Sequence, residues 1–232
     1  MKCFRLQAKF AVFRMFTSGS FRSTAGFITP SAAYGLLLNF AGIEMRYDDG
    51  KSEMTLIRNG LPQMKIALGA LSMPRRHSVF QQLHNYPIGN TGKEHAPLTK
   101  GTKYNIFPGR REFLSGLNAY ICIDGAPELE EKISLGVQGK LPTAYGLPFL
   151  GDNNFLLDRF EEVGKRDPAF WFEPIGESDD EFRDNATRLT ISIDRADLSK
   201  TRSALFAPTV KPIGEIPEKA WVVVPVSETF TK

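Results

Sequence analysis

The segment formed by residues 72–111 constrains the fold most, because it has no regular apolar pattern while the segments on both sides have one. The segment, SMPRRHSVFQQLHNYPIGNTGKEHAPLTKGTKYNIFPGRR, carries seven Lys or Arg against a single acid, Glu94. Four glycines, four prolines and all three histidines of the chain lie in it. A segment without helical or strand periodicity contributes little to a core. We therefore expect a folded domain with this basic segment as an insertion.

The flanking segments have patterns of regular secondary structure. Apolar residues alternate over residues 4–12, which predicts a strand with one buried and one basic face. Thr29, Pro30 and Gly42 suit the N-cap, first turn and end of a helix. Short strands joined by turns at Asp49-Gly50 and Asn59-Gly60 are predicted over residues 43–71. They are followed by a strand at 117–123, a helix at 126–140 and strands at 187–194 and 220–226. This order is compatible with an α+β fold, in which a βαββαβ ferredoxin-like sheet precedes a smaller β-rich part.

Charge is distributed unevenly along the 232 residues, although the net charge is only +3. Residues 1–111 carry 16 Lys or Arg and 5 Asp or Glu, whereas residues 112–232 carry 13 and 21. This asymmetry is typical of a protein whose basic half binds a polyanion. The alternative is that the two halves are only differently solvated faces.

The cysteine and histidine positions predict neither a disulfide framework nor a metal site. Cys3 and Cys122 form no CxxC motif, and a reduced cytoplasmic setting suits two such cysteines. His77, His84 and His95 are spaced by 7 and 11 residues, which matches no ligand pattern. The basic amino terminus does not resemble a signal peptide, and no apolar run is long enough to span a membrane. We expect no metal, no other cofactor and no membrane contact.

An ordered set of segments resembles the Cas-five family of CRISPR Cascade subunits, part of the RAMP superfamily. The set comprises the basic first strand, TPSAAYGLLLNFAG, GRREFLSGLNAYICID and GLPFLGDNNFLLDRFEEV. The later segment LTISIDRADLSKTRSALFAP resembles the myxobacterial-type branch. The resemblance implies an RRM-like domain over residues 1–160, with a β-hairpin "thumb" inserted at about 72–111. Residues 161–232 would form a small C-terminal β-rich region.

The resemblance also implies a function. Members of this family are non-catalytic subunits that bind and cap the 5′ handle of the guide RNA in a type I Cascade complex. The implied partners are that guide RNA, the backbone subunit and the large subunit, with target DNA contacted only indirectly. The expected role is therefore antiviral defence or RNA-guided DNA targeting.

Residues of the insertion provide the first group of candidate RNA contacts. Arginine forks match phosphate geometry, lysines reach phosphates, and aromatic rings stack on the unpaired bases of single-stranded RNA. The alternative is that the charged pairs are solvated ends of a hairpin and that the tyrosine packs against its neighbours. The candidates are Arg75, Arg76, His84, Tyr86, Lys100, Lys103, Arg110 and Arg111.

A second group of candidates lies in two Gly-containing loops. Arg14 and Arg22 flank a Gly/Ser-rich loop that leads to the helix start near Ser31, where backbone N–H groups can bind an anion. Tyr145 and Gly146 lie in a later loop, where small residues allow RNA to approach the backbone. The alternatives are that Ser31 is a plain capping residue and that the glycines only permit turns.

A metal-independent endoribonuclease is the alternative function. The resemblance includes a branch that cleaves precursor RNA with a Tyr, a Lys and a His. Here Tyr34, with Lys93 or Lys100 and His95, would supply such groups, because a histidine titrates near neutrality. However, Glu94 separates Lys93 from His95, so the adjacent Lys-His pair of that branch is absent. We therefore expect no catalysis.

Overall fold

A computed structural model of the chain describes residues 1–15, 21–52, 54–87, 104–142, 146–176 and 183–225, with only the backbone for residues 83–87, 104, 105 and 107. The helices are α1 (Pro30–Phe40) and α2 (Pro127–Val137), and two short 3-10 helices span Leu198–Lys200 and Glu218–Ala220. The strands are β1 (Lys2–Ala11), β2 (Phe21–Arg22), β3 (Arg46–Tyr47), β4 (Leu56–Ile57), β5 (Met64–Ser72), β6 (Arg75–Pro87), β7 (Tyr104–Asp124), β8 (Arg159–Glu162), β9 (Phe170–Pro174), β10 (Thr187–Ser192), β11 (Arg202–Pro208) and β12 (Val222–Val224).

Four strands form the centre of the fold, in the sheet order β8-β1-β7-β5, and each neighbouring pair is antiparallel. Helix α1 lies between β1 and β5 in the chain, and α2 lies between β7 and β8. This is the strand order that a βαββαβ unit produces. The predicted α+β fold, with a hairpin inserted between two strands of its sheet, is confirmed.

The residues that predict the two ends of α1 have those roles in the structure, and they set the part of the chain that joins the core as this helix. The Ala32 N–H donates to Thr29 Oγ1 at 3.1 Å, which caps α1. Gly42 ends α1 with a φ of 69°, a conformation that favours glycine. Buried residues of α1 and alternate residues of β1, including the fully buried Phe4 and Leu6, belong to the same apolar core. One continuous core therefore lies between the helices and one face of the sheet.

The C-terminal strands extend the same sheet beyond β5, in the order β5-β9-β11-β10, and β12 also pairs with β5. The buried ring of Trp171 on β9 lies against Gly69 of β5, where an added Cβ would approach the ring to 2.9 Å. Trp171 also stacks with Tyr120 on the sheet face opposite the helices. RRM domains stack bases on such a face. In this chain, Trp171 and its neighbours cover that face of the sheet at strands β5 and β7.

The expectation of two reduced cysteines is wrong for this structure. Cys3 on β1 and Cys122 on β7 are register partners and are joined by a disulfide. The antiparallel pairing brings together two residues that are 119 positions apart in the chain. None of the helices in the described ranges is long and apolar enough to cross a membrane.

Candidate nucleic-acid interface

Most of the basic insertion forms a long two-stranded ribbon. Strands β6 and β7 pair antiparallel from Arg75 opposite Ser115 to Pro87 opposite Tyr104. Strand β7 has 21 residues, so one strand continues from the ribbon into the centre of the sheet. The short strand β2 adds a third strand at the base of the ribbon, where it pairs parallel with β7 through Arg110 and Arg111.

The ribbon has two different faces, because successive side chains of a strand point to opposite sides. The inner face carries His77, Arg111 and Phe113, which contact the body of the protein or each other. Phe113 packs edge-on against Phe10 of β1 at 5.7 Å, and the ring of His77 stacks on Phe113 at 5.2 Å. His77 Nε2 is also 2.7 Å from Ser115 Oγ. The outer face carries Arg76, Ser78, Phe80, Gln82, Pro108, Arg110 and Glu112.

Arg111 is held on the inner face by an ion pair with Asp152. Its Nη2 donates to Asp152 Oδ2 at 2.5 Å, and its guanidinium lies 5.4 Å above the ring of Phe155. Arg14 reaches the same oxygen at 3.6 Å. Burial alone would raise the pKa of Asp152, but the Asn154 N–H and the charge of Arg111 outweigh it and lower the pKa. This carboxylate therefore compensates two of the candidate RNA-contacting arginines and connects the ribbon to the body.

Four other arginines at the base of the ribbon differ from Arg14 and Arg111, because they have no acidic partner among the described residues. The side chains of Arg22, Arg75, Arg76 and Arg110 are exposed. Among the described residues, none of the four has a carboxylate oxygen within 4.0 Å. They come from β2, β6 and β7, and the register places Arg76 and Arg110 on the outer face and Arg22 and Arg75 on the inner face. The base of the ribbon thus carries, on both of its faces, a cationic surface that has no ion-pair partner in the described part of the protein.

A cavity of about 240 Å³ lies beside this surface. Arg76 contributes to its wall, together with Gly26, Phe172 and Asn185. Asn185 has a φ of 60°, which is uncommon for a residue with a side chain. The Gly26 N–H donates to Thr187 Oγ1 at 2.9 Å and connects the segment after β2 to β10. The cavity therefore lies where the ribbon, this segment and the C-terminal strands meet.

The remaining candidate RNA contacts are less accessible to RNA, are described by their backbone alone, or lie outside the described residues. Ser31 is half-buried, with its Oγ 3.1 Å from Oγ1 of the capping residue Thr29, and both Thr29 and Pro30 are buried. The start of α1 is therefore covered, and Ser31 has the local contact of a capping residue. Gly146 is exposed, and its carbonyl oxygen accepts from Asn39 Nδ2 at 3.3 Å. The backbones of His84 and Tyr86 lie on β6, whereas Lys100, Lys103 and Tyr145 are outside the described residues.

Of the candidate nuclease groups, Tyr34 is the one that lies among the described residues. Tyr34 is 2% exposed, and its hydroxyl donates to the carbonyl oxygen of Pro62 at 2.7 Å. Burial raises the pKa of the Tyr34 hydroxyl well above its ordinary value. A group in this position does not reach an RNA strand or transfer a proton near neutral pH. Lys93 and His95 lie outside the described residues.

Several residues of this region were not predicted from the sequence. Asp152 and Phe155 fix Arg111, although they are more than 40 positions away from it in the chain. Phe21 joins the base of the ribbon through β2, within a loop that the sequence indicated only by its glycines and serines. The sequence marks Asp152 only as a residue typical of turns. In the structure its side chain also accepts from the Asn154 N–H, as turn residues do.

No protein-family model and no curated protein matches this chain. Among solved structures, the chain is similar to one described as "CRISPR RNA-guided surveillance complex", with a TM-score of 0.54 and 13% sequence identity. That similarity covers 90% of this chain and 91% of the other. A structure described as "Crystal structure of Cas protein" gives a TM-score of 0.47 at 12% identity and covers 93% and 97% of the two chains. The first likeness shows a shared fold over almost the whole chain.

Proposed function

We propose that this protein is a non-catalytic, RNA-binding subunit of a type I CRISPR effector (Cascade) complex. It binds and caps the 5′ handle of the guide RNA at the base of the ribbon. It assembles with the backbone and large subunits and contacts target DNA only indirectly. Sequence specificity for the target then comes from base pairing by the guide, while this subunit recognises the handle.

The cluster of Arg22, Arg75, Arg76 and Arg110 is the observation that carries the proposal. Two of these charges lie on each face of the ribbon base, and none of the four has a carboxylate oxygen within 4.0 Å among the described residues. A phosphate backbone supplies the missing negative charge, and guanidinium groups bind phosphate oxygens through two parallel hydrogen bonds.

The shared fold supports the choice of RNA and of the complex. The chain whose fold this protein shares belongs to a CRISPR RNA-guided surveillance complex. The covered β5–β7 end of the sheet face favours the ribbon as the binding surface, because Trp171 occupies the place where bases would stack in an RRM domain. The buried Tyr34 supports a role without catalysis.

A filter-binding titration over a range of salt concentrations tests the proposal. The wild-type protein is expected to bind RNA with a CRISPR-repeat 5′ handle more tightly than scrambled RNA of the same length. Each phosphate neutralised contributes about −0.7 to the slope of log K against log salt for a single strand. The variant R22Q/R75Q/R76Q/R110Q should therefore lose affinity and show a slope shallower by up to about 3.

A matched control removes four exposed positive charges from the C-terminal half. The variant R188Q/R202Q/K211Q/K219Q has the same net charge as the ribbon variant, and all four of its positions are exposed. It should keep the affinity and salt slope of the wild type. Equal losses in the two variants would mean that net charge alone attracts RNA, and the proposed surface would then be wrong.

A further inference from the structure

The outer face of the ribbon base carries a row of two aromatic rings with an arginine between them. Arg110 of β7 is the register partner of Phe80 on β6 and of Phe21 on β2. Register partners on neighbouring strands have side chains on the same face of a sheet. Neighbouring strands are about 4.8 Å apart, so the two phenylalanines lie about 10 Å apart with Arg110 between them.

Both rings of this row are accessible from solvent. Phe80 is 63% exposed and Phe21 is 42% exposed, and the side chain of Arg110 is exposed as well. Phenylalanine buries a large apolar area when it contacts a partner, so two exposed rings at register-related positions form a surface suited to a flat apolar ligand. Chance exposure of single apolar residues is common, but here the two rings flank a positive charge.

The backbone under the row is fixed by contacts on both sides of it. The neighbouring residue Arg111 is held on the inner face by Asp152 and Phe155. Next along β7, Glu112 accepts from the Thr24 N–H at 3.1 Å and thereby connects β7 to the segment after β2. Because the strands are already ordered, a ligand on this row does not have to order the backbone that carries it.

We propose that the row Phe21–Arg110–Phe80 is a base-stacking site for an unpaired segment of RNA; this proposal rests on the proposed RNA-binding function. Each ring offers its face to one base, and the guanidinium of Arg110 binds the phosphate that lies between two such bases. The rings carry no hydrogen-bonding groups, so the row accepts any base and does not read sequence. Bases inside a duplex are already stacked on their neighbours, so the row selects single strands.

Binding titrations with single-site variants test this site. F80A is expected to weaken binding of a single-stranded repeat RNA roughly 5- to 100-fold, the loss typical of one stacked base, without changing the salt slope. F80W should restore the wild-type affinity, whereas F80L should not. R110Q should instead make the salt slope shallower by about 0.7, because it removes one phosphate contact.

Val79 provides the matched control, because it is adjacent to Phe80 and 42% exposed but lies on the inner face. V79A should bind the single strand as the wild type does, and both F80A and V79A should keep the wild-type melting temperature. F80A should also bind a fully paired RNA duplex as the wild type does.

The possible results distinguish this site from the proposed function. Wild-type affinity in F80A, or full rescue by F80L, would overturn the stacking site and leave the RNA-binding function in place. If the wild-type protein does not bind the single-stranded RNA at all, the proposed function fails and the stacking site fails with it.

Discussion

Arg110 and Arg111 are adjacent on β7 and have opposite environments, so replacing each one with alanine should separate stability from RNA binding. The side chain of Arg111 is 18% exposed and that of its partner Asp152 is 14% exposed, so solvent screens this ion pair only in part. A hydrogen bond between charged groups contributes about 1.5–3 kcal/mol, and the contact with the ring of Phe155 about 0.5–1 kcal/mol. R111A should therefore lower the unfolding free energy by about 2–4 kcal/mol, and the melting temperature by roughly 5–10 °C.

Thermal and urea unfolding of R111A, D152A, the double variant and R110A measures this difference. R110A should stay within about 0.5 kcal/mol of the wild type, because Arg110 is exposed and has no carboxylate partner among the described residues. The double variant should be less destabilised than the sum of the single variants, with a coupling of about 1–2 kcal/mol. Additive losses, or an equal loss in R110A, would refute the assignment of Arg111 to the inner face.

The pH dependence of the same ion pair has a definite sign. The pKa of Asp152 is lower in the folded protein than its ordinary value of 3.8, so folding favours the charged carboxylate. The contribution of Asp152 to stability is therefore fully present above pH of about 4 and is lost as the pH falls through the folded pKa. The difference in stability between the wild type and R111A should narrow over that acidic range.

Three further predictions concern the loop, the ribbon and catalysis. G151A should lower the free energy of unfolding by about 3 kcal/mol or more, because its Cβ would lie 1.7 Å from the Val12 carbonyl oxygen at a φ of 79°. G164A is the control, because its Cβ would have no neighbour within 4 Å. Equal melting temperatures of the two variants would contradict the prediction. Replacing residues 82–103 with a short Gly-Ser turn should shift the melting temperature by only a few degrees, as a loss of about 1 kcal/mol of stability would. The same replacement should abolish capture of the guide–backbone complex in a pull-down. An unfolded product, or undiminished capture, would count against this prediction. The wild-type protein should not cut repeat RNA in EDTA, so H77A/H84A/H95A has no activity to lose; cutting by the wild type that the triple variant lacks would establish the nuclease alternative.

The elements that the sequence predicts are those with local signals. Thr29, Pro30 and Gly42 specify the ends of α1 through contacts within four residues, and the alternation in β1 needs no knowledge of its partners. The insertion was predicted from its charge and from the absence of a pattern. These features depend on the chain over a few turns or one strand, and they were enough to predict an α+β fold with an inserted basic segment. That the segment is a hairpin was implied by the family resemblance and not by local signals.

The contacts that the sequence did not predict depend on register between distant strands. Cys3 and Cys122 form a disulfide because β1 and β7 pair at that position, which neither local sequence indicates. Arg110 and Arg111 are adjacent residues of the same type, so the sequence does not distinguish them. Only the pairing of β7 with β6 and β2 assigns them to opposite faces of the ribbon. Strands β9 and β11 were not predicted. They complete an existing sheet, so the neighbouring strands specify them more than their own sequences do.

The central claim is that this chain holds the 5′ handle of a guide RNA at the base of its ribbon. Crosslinking in the native cells, followed by purification of the protein and sequencing of the attached RNA, tests it most directly. We predict that the recovered RNAs share one repeat-derived 5′ segment, followed by variable sequences, and that the crosslinked peptides include Arg76, Phe80 or Arg110. Recovery of mixed cellular RNA without a common 5′ segment, or crosslinks confined to the C-terminal half, would contradict the claim.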